Sequence, residues 1–243
     1  MAERLIYGVQ AVRSVLRRAP ARVLKVYSGK EGDSSRRARL PELDQLGVPV
    51  TNVDKPTLDR LCDGGTHQGI AAEVRAPEPL GEAAAKDRIL ALSTPLLLLL
   101  DGVQDPRNFG ACLRTADAVG VDLVVVGRSR NVGLTPVVSK VAAGAAEIQP
   151  VAAVANLARF MRFLRDSGVF LVGADDTAPA ELHGADLRGP LGVVLGAEGE
   201  GLRRLTRERC DLLVRIPMRG AVESLNVSVA AGVCLYEALR QRA

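Results

Sequence analysis

From Pro95 onward, short unbroken apolar runs alternate with stretches in which apolar residues recur at three- and four-residue intervals. The runs Leu96 to Leu100, Leu123 to Val126, Ile148 to Val151, Val169 to Val172, Leu191 to Leu195 and Leu212 to Ile216 predict strands. Being apolar at nearly every position, they are strands buried on both faces. Between them, Asn108 to Val119, Pro136 to Ala146 and Asn156 to Asp166 carry the helical period. Strand and helix in alternation predict an α/β fold, a largely parallel sheet covered by helices on both faces. Because true knots are rare, the pattern by itself predicts an unknotted, doubly wound arrangement.

The C-terminal stretch is the most structured in pattern. The run Leu191 to Leu195 breaks at Gly196 into the turn Gly196-Ala197-Glu198-Gly199-Glu200-Gly201, and a short basic helix is expected over Leu202 to Arg209. Pro217 stops the next strand, and a polar loop leads to Ser224-Leu225-Asn226. There a last helix begins, with Val229, Gly232/Val233, Tyr236 and Leu239 expected on its core face.

The N-terminal third has a different texture. A short strand followed by a helix is expected over Leu5 to Arg17, with Val9, Val12 and Leu16 on one face. Then come a strand (Val23 to Tyr27), an Arg-rich polar loop (Gly29 to Arg37), a helix (Leu40 to Leu46) and a strand (Val48 to Val53). A helix over Lys55 to Cys62 and a strand over Ile70 to Val74 complete a small α/β module. The expected division is a first domain over residues 1–75, a proline-containing linker over 76–92 with a short helix after Gly81, and a second domain over 93–243.

Composition narrows this picture only a little. With 243 residues, 47% of them apolar and 25% charged, the chain can bury proper cores. No apolar run approaches the ~18 residues of a membrane span, and the first residues lack a signal-peptide core, so a cytoplasmic protein is expected. The four cysteines are far apart, with no C-x-x-C, which predicts reduced thiols and no metal. Charge is unevenly divided: thirteen Lys and Arg stand against nine Asp and Glu through Arg75, and nineteen of each follow. The whole excess of +4 thus lies in the first third, as in an RNA-facing module, although a solvated basic surface explains it nearly as well.

The loop after Leu195 is the first candidate for chemistry. Its glycines run G-x-x-G-x-G, the reverse of a dinucleotide fingerprint, and Glu198 and Glu200 would repel a pyrophosphate. An acidic, glycine-rich loop suits a ligand without phosphate and with positive charge, and S-adenosylmethionine fits. Two tight turns with solvated glutamates are the plainer alternative. His67 and His183 are isolated and read as structural or surface residues rather than catalytic ones.

Three blocks, Asn108-Phe109-Gly110-Ala111-Cys112-Leu113-Arg114, Gly196 to Gly201, and Ile216-Pro217-Met218 through Ser224-Leu225-Asn226-Val227-Ser228, resemble the SpoU/TrmH family of RNA ribose 2′-O-methyltransferases in order and spacing. The resemblance spans essentially the whole chain and is nearest to the branch acting on a guanosine of 23S rRNA. It implies a SPOUT-type parallel sheet with a trefoil knot around Gly196 to Arg240, preceded by an L30e/L7Ae-like RNA-binding domain. It also implies S-adenosyl-L-methionine as cofactor, the large-subunit rRNA precursor as partner, and a homodimer with its active site near the subunit interface. The last helix, with Ala230, Ala231, Cys234 and Leu235 beside its expected core face, is the candidate contact; burial within one subunit explains those residues equally well.

By the same resemblance, Leu195, Gly196, Gly199, Ile216, Met218, Ser224 and Leu225 surround the cofactor, and Arg114, Asn108, Glu198, Ser224 and Asn226 form the catalytic set. A guanidinium stays charged in proteins, so Arg114 is better suited to hold a phosphate and stabilise a developing alkoxide than to take a proton. A surface ion pair with Asp117 would explain it without function. Asn108 either caps its helix or orients Arg114. Glu198 pairs with Arg114, orients the ribose, or is a solvated turn residue. Ser224 and Asn226 lie where a helix start offers free N–H groups. A tRNA or resistance-type rRNA methyltransferase, and a non-catalytic RNA-binding or ribosome-assembly protein, remain alternatives.

Overall fold

In the computed structural model the described residues are 3–29, 40–129, 131–197, 199–222 and 224–243, without the side chains of Asp44 and Gln45. Glu198 and nearly all of the expected Arg-rich loop therefore lie outside the described residues. The chain forms two compact units: one contains residues up to Pro77 together with Ser139–Ile148, the other Glu78–Val138 and Gln149–Ala243.

In the first unit, β1 (Glu3–Tyr7), α1 (Val9–Arg18), β2 (Val23–Gly29), α2 (Glu42–Leu46), β3 (Val50–Val53), α3 (Lys55–Leu61) and β4 (Ile70–Arg75) follow one another. The sheet order is β1-β4-β2-β3, with β4 antiparallel to both neighbours and β2 parallel to β3. Val12, Val15 and Leu16 of α1 pack with Val26, Ile70, Ala72 and Val74 of the sheet. Asp54 caps α3 by accepting from the Thr57 N–H, and Pro56 sits in the first turn, where no N–H is needed. His67 is buried; its Nδ1 accepts from the Gly69 N–H at 3.0 Å and its Nε2 faces Asp59 Oδ1 at 2.9 Å. That pins the turn before β4, the structural use expected for it.

The second unit holds α4 (Glu82–Leu90), β5 (Leu96–Asp101), α5 (Pro106–Val119) and β6 (Leu123–Gly127). After the short helices α6 (Pro136–Val141) and α7 (Ala145–Ile148) come β7 (Val151–Val154), α8 (Leu157–Asp166), β8 (Phe170–Ala174) and β9 (Ala180–Glu181). The chain closes with β10 (Leu191–Gly196), α9 (Arg204–Arg207), β11 (Leu212–Arg215) and α10 (Val227–Arg242). The seven strands run β7-β6-β5-β10-β8-β11-β9, every neighbouring pair parallel. β10 is thus inserted between two strands laid down earlier. One face of the sheet buries Leu97, Leu99, Leu123, Val125 and Val194 against Phe160, Met161 and Leu164 of α8.

Several expectations are corrected. The stretch read as a linker carries α4, which buries Ala85 and Ile89 in the second unit's core, and Leu80 bridges Ala152 beside β7. The short helix expected after Gly81 is thus present, but it belongs to the second unit's core rather than to a linker; its three consecutive alanines gave no apolar stripe to show that. The single helix expected over Pro136 to Ala146 is interrupted where Ala143 and Gly144 take positive φ, and the strand expected from Ile148 begins at Val151. The helix expected over Leu202 to Arg209 is confined to four residues. The faces of α10 are exchanged: Ala231, Cys234, Leu235 and Ala238 are buried within the unit, while Val229, Tyr236 and Leu239 are exposed. That helix is apolar on both sides, so periodicity could not say which side is core. Burial pushes the Cys210 and Cys234 thiols up to about 12.

Candidate active site

The site lies where the carboxyl ends of β5, β10, β8 and β11 come side by side, the position at which open parallel sheets take ligands. Gly196 at the end of β10 pairs with Asp101 at the end of β5. Beyond Gly196 the chain doubles back: Ala197 and Gly201 form an isolated bridge, with the Gly201 N–H donating to Ala197 O at 3.0 Å. A β-carbon on Gly196 would come within 2.1 Å of the Gly201 carbonyl carbon. Gly196 is therefore required by its own loop. Gly199 and Gly201 take φ of +77° and +64°, where a side chain is strained.

Around this loop is a cavity of about 450 Å³, within the range of small-molecule sites. Leu195, Gly196, Gly199, Ile216, Met218, Ser224 and Leu225, the seven residues expected around a cofactor, all line it, and so does Asn226. Sequence reasoning missed Asp175 and Asp176, which enter the cavity from the end of β8. Asp175 accepts from the Thr177 hydroxyl at 2.6 Å and pairs with Arg207 at 3.1 Å. Carboxylates directly after a short apolar strand were the available signal. Among the described residues the lining contains no Lys, Arg or His. Such a surface holds an uncharged or cationic ligand and offers nothing to neutralise a phosphate.

α5 and α10 meet at this end of the sheet. α5 is capped by Asp105, whose Oδ1 accepts from the Arg107 and Asn108 N–H groups at 2.6 and 3.1 Å, with Pro106 in the first turn. The capping role expected for Asn108 is thus corrected: Asn108 stands inside the first turn, and the Asp-Pro pair was the overlooked start signal. Instead its Oδ1 accepts from Asn226 Nδ2 at 2.9 Å. Asn226 in turn caps α10, its Oδ1 accepting from the Ser228 N–H at 2.9 Å and the Ser228 hydroxyl at 2.6 Å. One bond therefore joins two of the three sequence blocks. Ser224 is exposed and lies before this cap.

Beside the first cavity is a second, of about 340 Å³, lined by Gly102–Asp105, Asn108, Ala197, Glu200, Arg203 and Val227. Asp101, buried at the end of β5, accepts from the Arg203 N–H at 3.2 Å and faces its guanidinium at 3.3 Å.

Arg114 is placed differently from the rest. It is exposed, six residues beyond Asn108 on α5, and faces away from buried Phe109, Cys112, Leu113 and Ala116. It lines neither cavity. Among the described residues no hydrogen bond or ion pair engages its guanidinium, so the Asp117 pair is absent there. Among the described residues there is no group of three or more His, Cys, Asp or Glu that could hold a metal, and no helix long and apolar enough to cross a membrane.

Residues 95–236 match the SpoU rRNA Methylase family, and residues 5–80 match the domain described as RNA 2′-O ribose methyltransferase substrate binding. The protein called 23S rRNA (guanosine-2′-O-)-methyltransferase RlmB in Vibrio parahaemolyticus is 48% identical, over 100% of this chain and 98% of that protein. Its namesake in Vibrio cholerae is 49% identical over the same shares. Among solved structures, the SpoU methyltransferase AviRb from Streptomyces viridochromogenes in complex with the cofactor AdoMet superposes with a TM-score of 0.79. It is 26% identical and covers 99% of this chain and 90% of its own.

Proposed function

The chain belongs to the SpoU rRNA methylase family, and from that premise we propose that it methylates the ribose 2′-oxygen of a guanosine in 23S rRNA, using S-adenosylmethionine. The observation that carries the cofactor is the cavity at the carboxyl ends of β10, β8 and β11, without a cation among its described lining residues, walled by Leu195, Ile216 and Leu225 and entered by Asp175 and Asp176. Apolar walls suit an adenine ring, and carboxylates suit hydroxyl and ammonium donors and a positive sulfonium. S-adenosylmethionine supplies the electrophilic methyl group when bound. The chain's part is to align a weak nucleophile in line with that methyl and to ease loss of the hydroxyl proton.

In this reading Asn108 and Asn226, locked to each other, hold the two helix starts that frame the acceptor. Ser224, on the wall of the first cavity, borders the same place. Arg114 meets the RNA backbone and stabilises charge growing on the 2′-oxygen, for which its exposed guanidinium, unengaged among the described residues, is suited. The exposed apolar face of α10, Val229, Tyr236 and Leu239, supports a homodimer built on that helix. Arg114, on the exposed face of the helix packed beside it, would then stand near the subunit boundary. The first unit is the rRNA-binding domain and the second the methyltransferase domain, acting in the cytoplasm. The trefoil path belongs to the same reading, supported by the insertion of β10 between β5 and β8. Calorimetry with S-adenosylmethionine and methyl transfer to unmodified rRNA test the proposal together. Binding with transfer is expected; no binding would remove the cofactor site, and binding without transfer would leave an RNA-binding protein.

A further inference from the structure

We infer that the second cavity, beside the cofactor cavity, is a guanine-reading pocket in which Asp105, Glu200 and Arg203 recognise the base of the target nucleotide. This rests on the proposed ribose methylation and adds the residues that select the base.

The two cavities share Ala197 and Val227, so a nucleotide whose ribose reaches the first has its base or phosphate in the second. The charges decide which. Among the described residues, Asp105 and Glu200 bring two carboxylates, whereas the one guanidinium, that of Arg203, is already paired with buried Asp101. A phosphate would meet net negative charge there. A base carrying both donors and acceptors would not. Guanine offers N1–H and N2–H₂ donors to a carboxylate, and O6 and N7 acceptors to an arginine fork. Adenine reverses the donor and acceptor at its six position and lacks the two-amino group.

Arg203 is held ready for this. Asp101 fixes both its backbone N–H and one guanidinium nitrogen, Nη1. Its Nη2 lies over Gly102, where a β-carbon would come within 2.7 Å of it. Gly102, at φ +87°, thus leaves room for the guanidinium at the cavity wall. Asp105 caps α5 through Oδ1 alone among its described hydrogen bonds, so Oδ2 remains for a ligand.

The test uses the full chain and 23S rRNA assembled from ligated fragments, with the methylated guanosine, once mapped, kept or replaced by inosine or adenosine. Asp105→Asn retains a good helix cap and Glu200→Gln lies on the surface, so both variants should fold. For the wild type, kcat/KM should fall roughly 10- to 100-fold with inosine, which lacks the two-amino group, and at least as far with adenosine. In Asp105→Asn or Glu200→Gln the guanosine-to-inosine ratio should collapse toward one while S-adenosylmethionine affinity stays within about twofold. Equal wild-type rates on guanosine and inosine, or variants that slow every substrate alike, would overturn the pocket while leaving the methyltransferase reading intact. No transfer even to the guanosine RNA would sink that reading, and this inference with it.

Discussion

A single hydrogen on Gly196 keeps the cofactor loop closed, because the Gly201–Leu202 backbone occupies the place of a side chain. Gly196→Ala is expected to cost ~1–3 kcal/mol in overpacking and to weaken S-adenosylmethionine binding with it. Gly199→Ala should cost only about 1 kcal/mol, since its strain is conformational and nothing lies within 4 Å. Thermal unfolding and calorimetry of the two variants check the order; a fully stable Gly196→Ala would mean that the loop is built otherwise. Arg114→Ala tests a different property. It should bind S-adenosylmethionine as the wild type does and transfer methyl ~10²–10³-fold more slowly in single turnover. Wild-type turnover would return Arg114 to the helix surface. The seven expected residues lining the first cavity were legible through the family resemblance, whose blocks carry them in a fixed order. Asp101, Asp105, Asp175 and Arg203 were not, because an acid at a strand end looks the same whether it caps a helix, clamps an arginine or faces solvent.

At the scale of elements, α10 shows most clearly what pattern can and cannot tell. Its length and start were readable from Asn226 onward, but with Ala231, Cys234 and Leu235 on one side and Val229, Tyr236 and Leu239 on the other, sequence alone could not choose the buried side. If the proposed homodimer is built on the exposed side, the wild type should sediment as a dimer and Tyr236→Glu as a folded monomer; a monomeric wild type, or a dimer unchanged by the substitution, would contradict that interface. The buried end of the helix is fixed by Glu237, which accepts from Arg240 at 2.7 Å and from Gln241 at 2.8 Å. Arg240, followed by Gln241, lowers its carboxyl from an ordinary 4.5 to about 2. A carboxylate whose acidity is strengthened on folding stabilises the protein above its unfolded value, and that contribution fades as pH falls from about 4.5 to about 2. Glu237→Gln should be less stable at pH 7 and should lose less stability across that interval. Parallel acid-denaturation curves for the two proteins would contradict this.

Across the whole molecule, the alternation of strands and helices revealed a parallel sheet, and the order β5-β10-β8 could not be read from it. Strand order depends on how distant segments pair, and each buried run is apolar on both faces and fits beside any other. The extent of the first unit was hidden for a similar reason: Ser139–Ile148 joins it through Glu147, whose buried carboxylate is paired with Arg4 and with Arg22 at 3.0 Å. Deleting the first domain would strand that carboxylate, so its proposed role in RNA binding is better measured on the intact chain, where affinity for rRNA should fall steeply as salt rises. The most direct measurement is a map of ribose methylation along unmodified 23S rRNA after incubation with the protein and S-adenosylmethionine. The expected result is one guanosine newly methylated at its 2′-oxygen, absent without cofactor. Methyl groups found on a base, or no methylation of the rRNA by protein that binds S-adenosylmethionine, would contradict the proposed function.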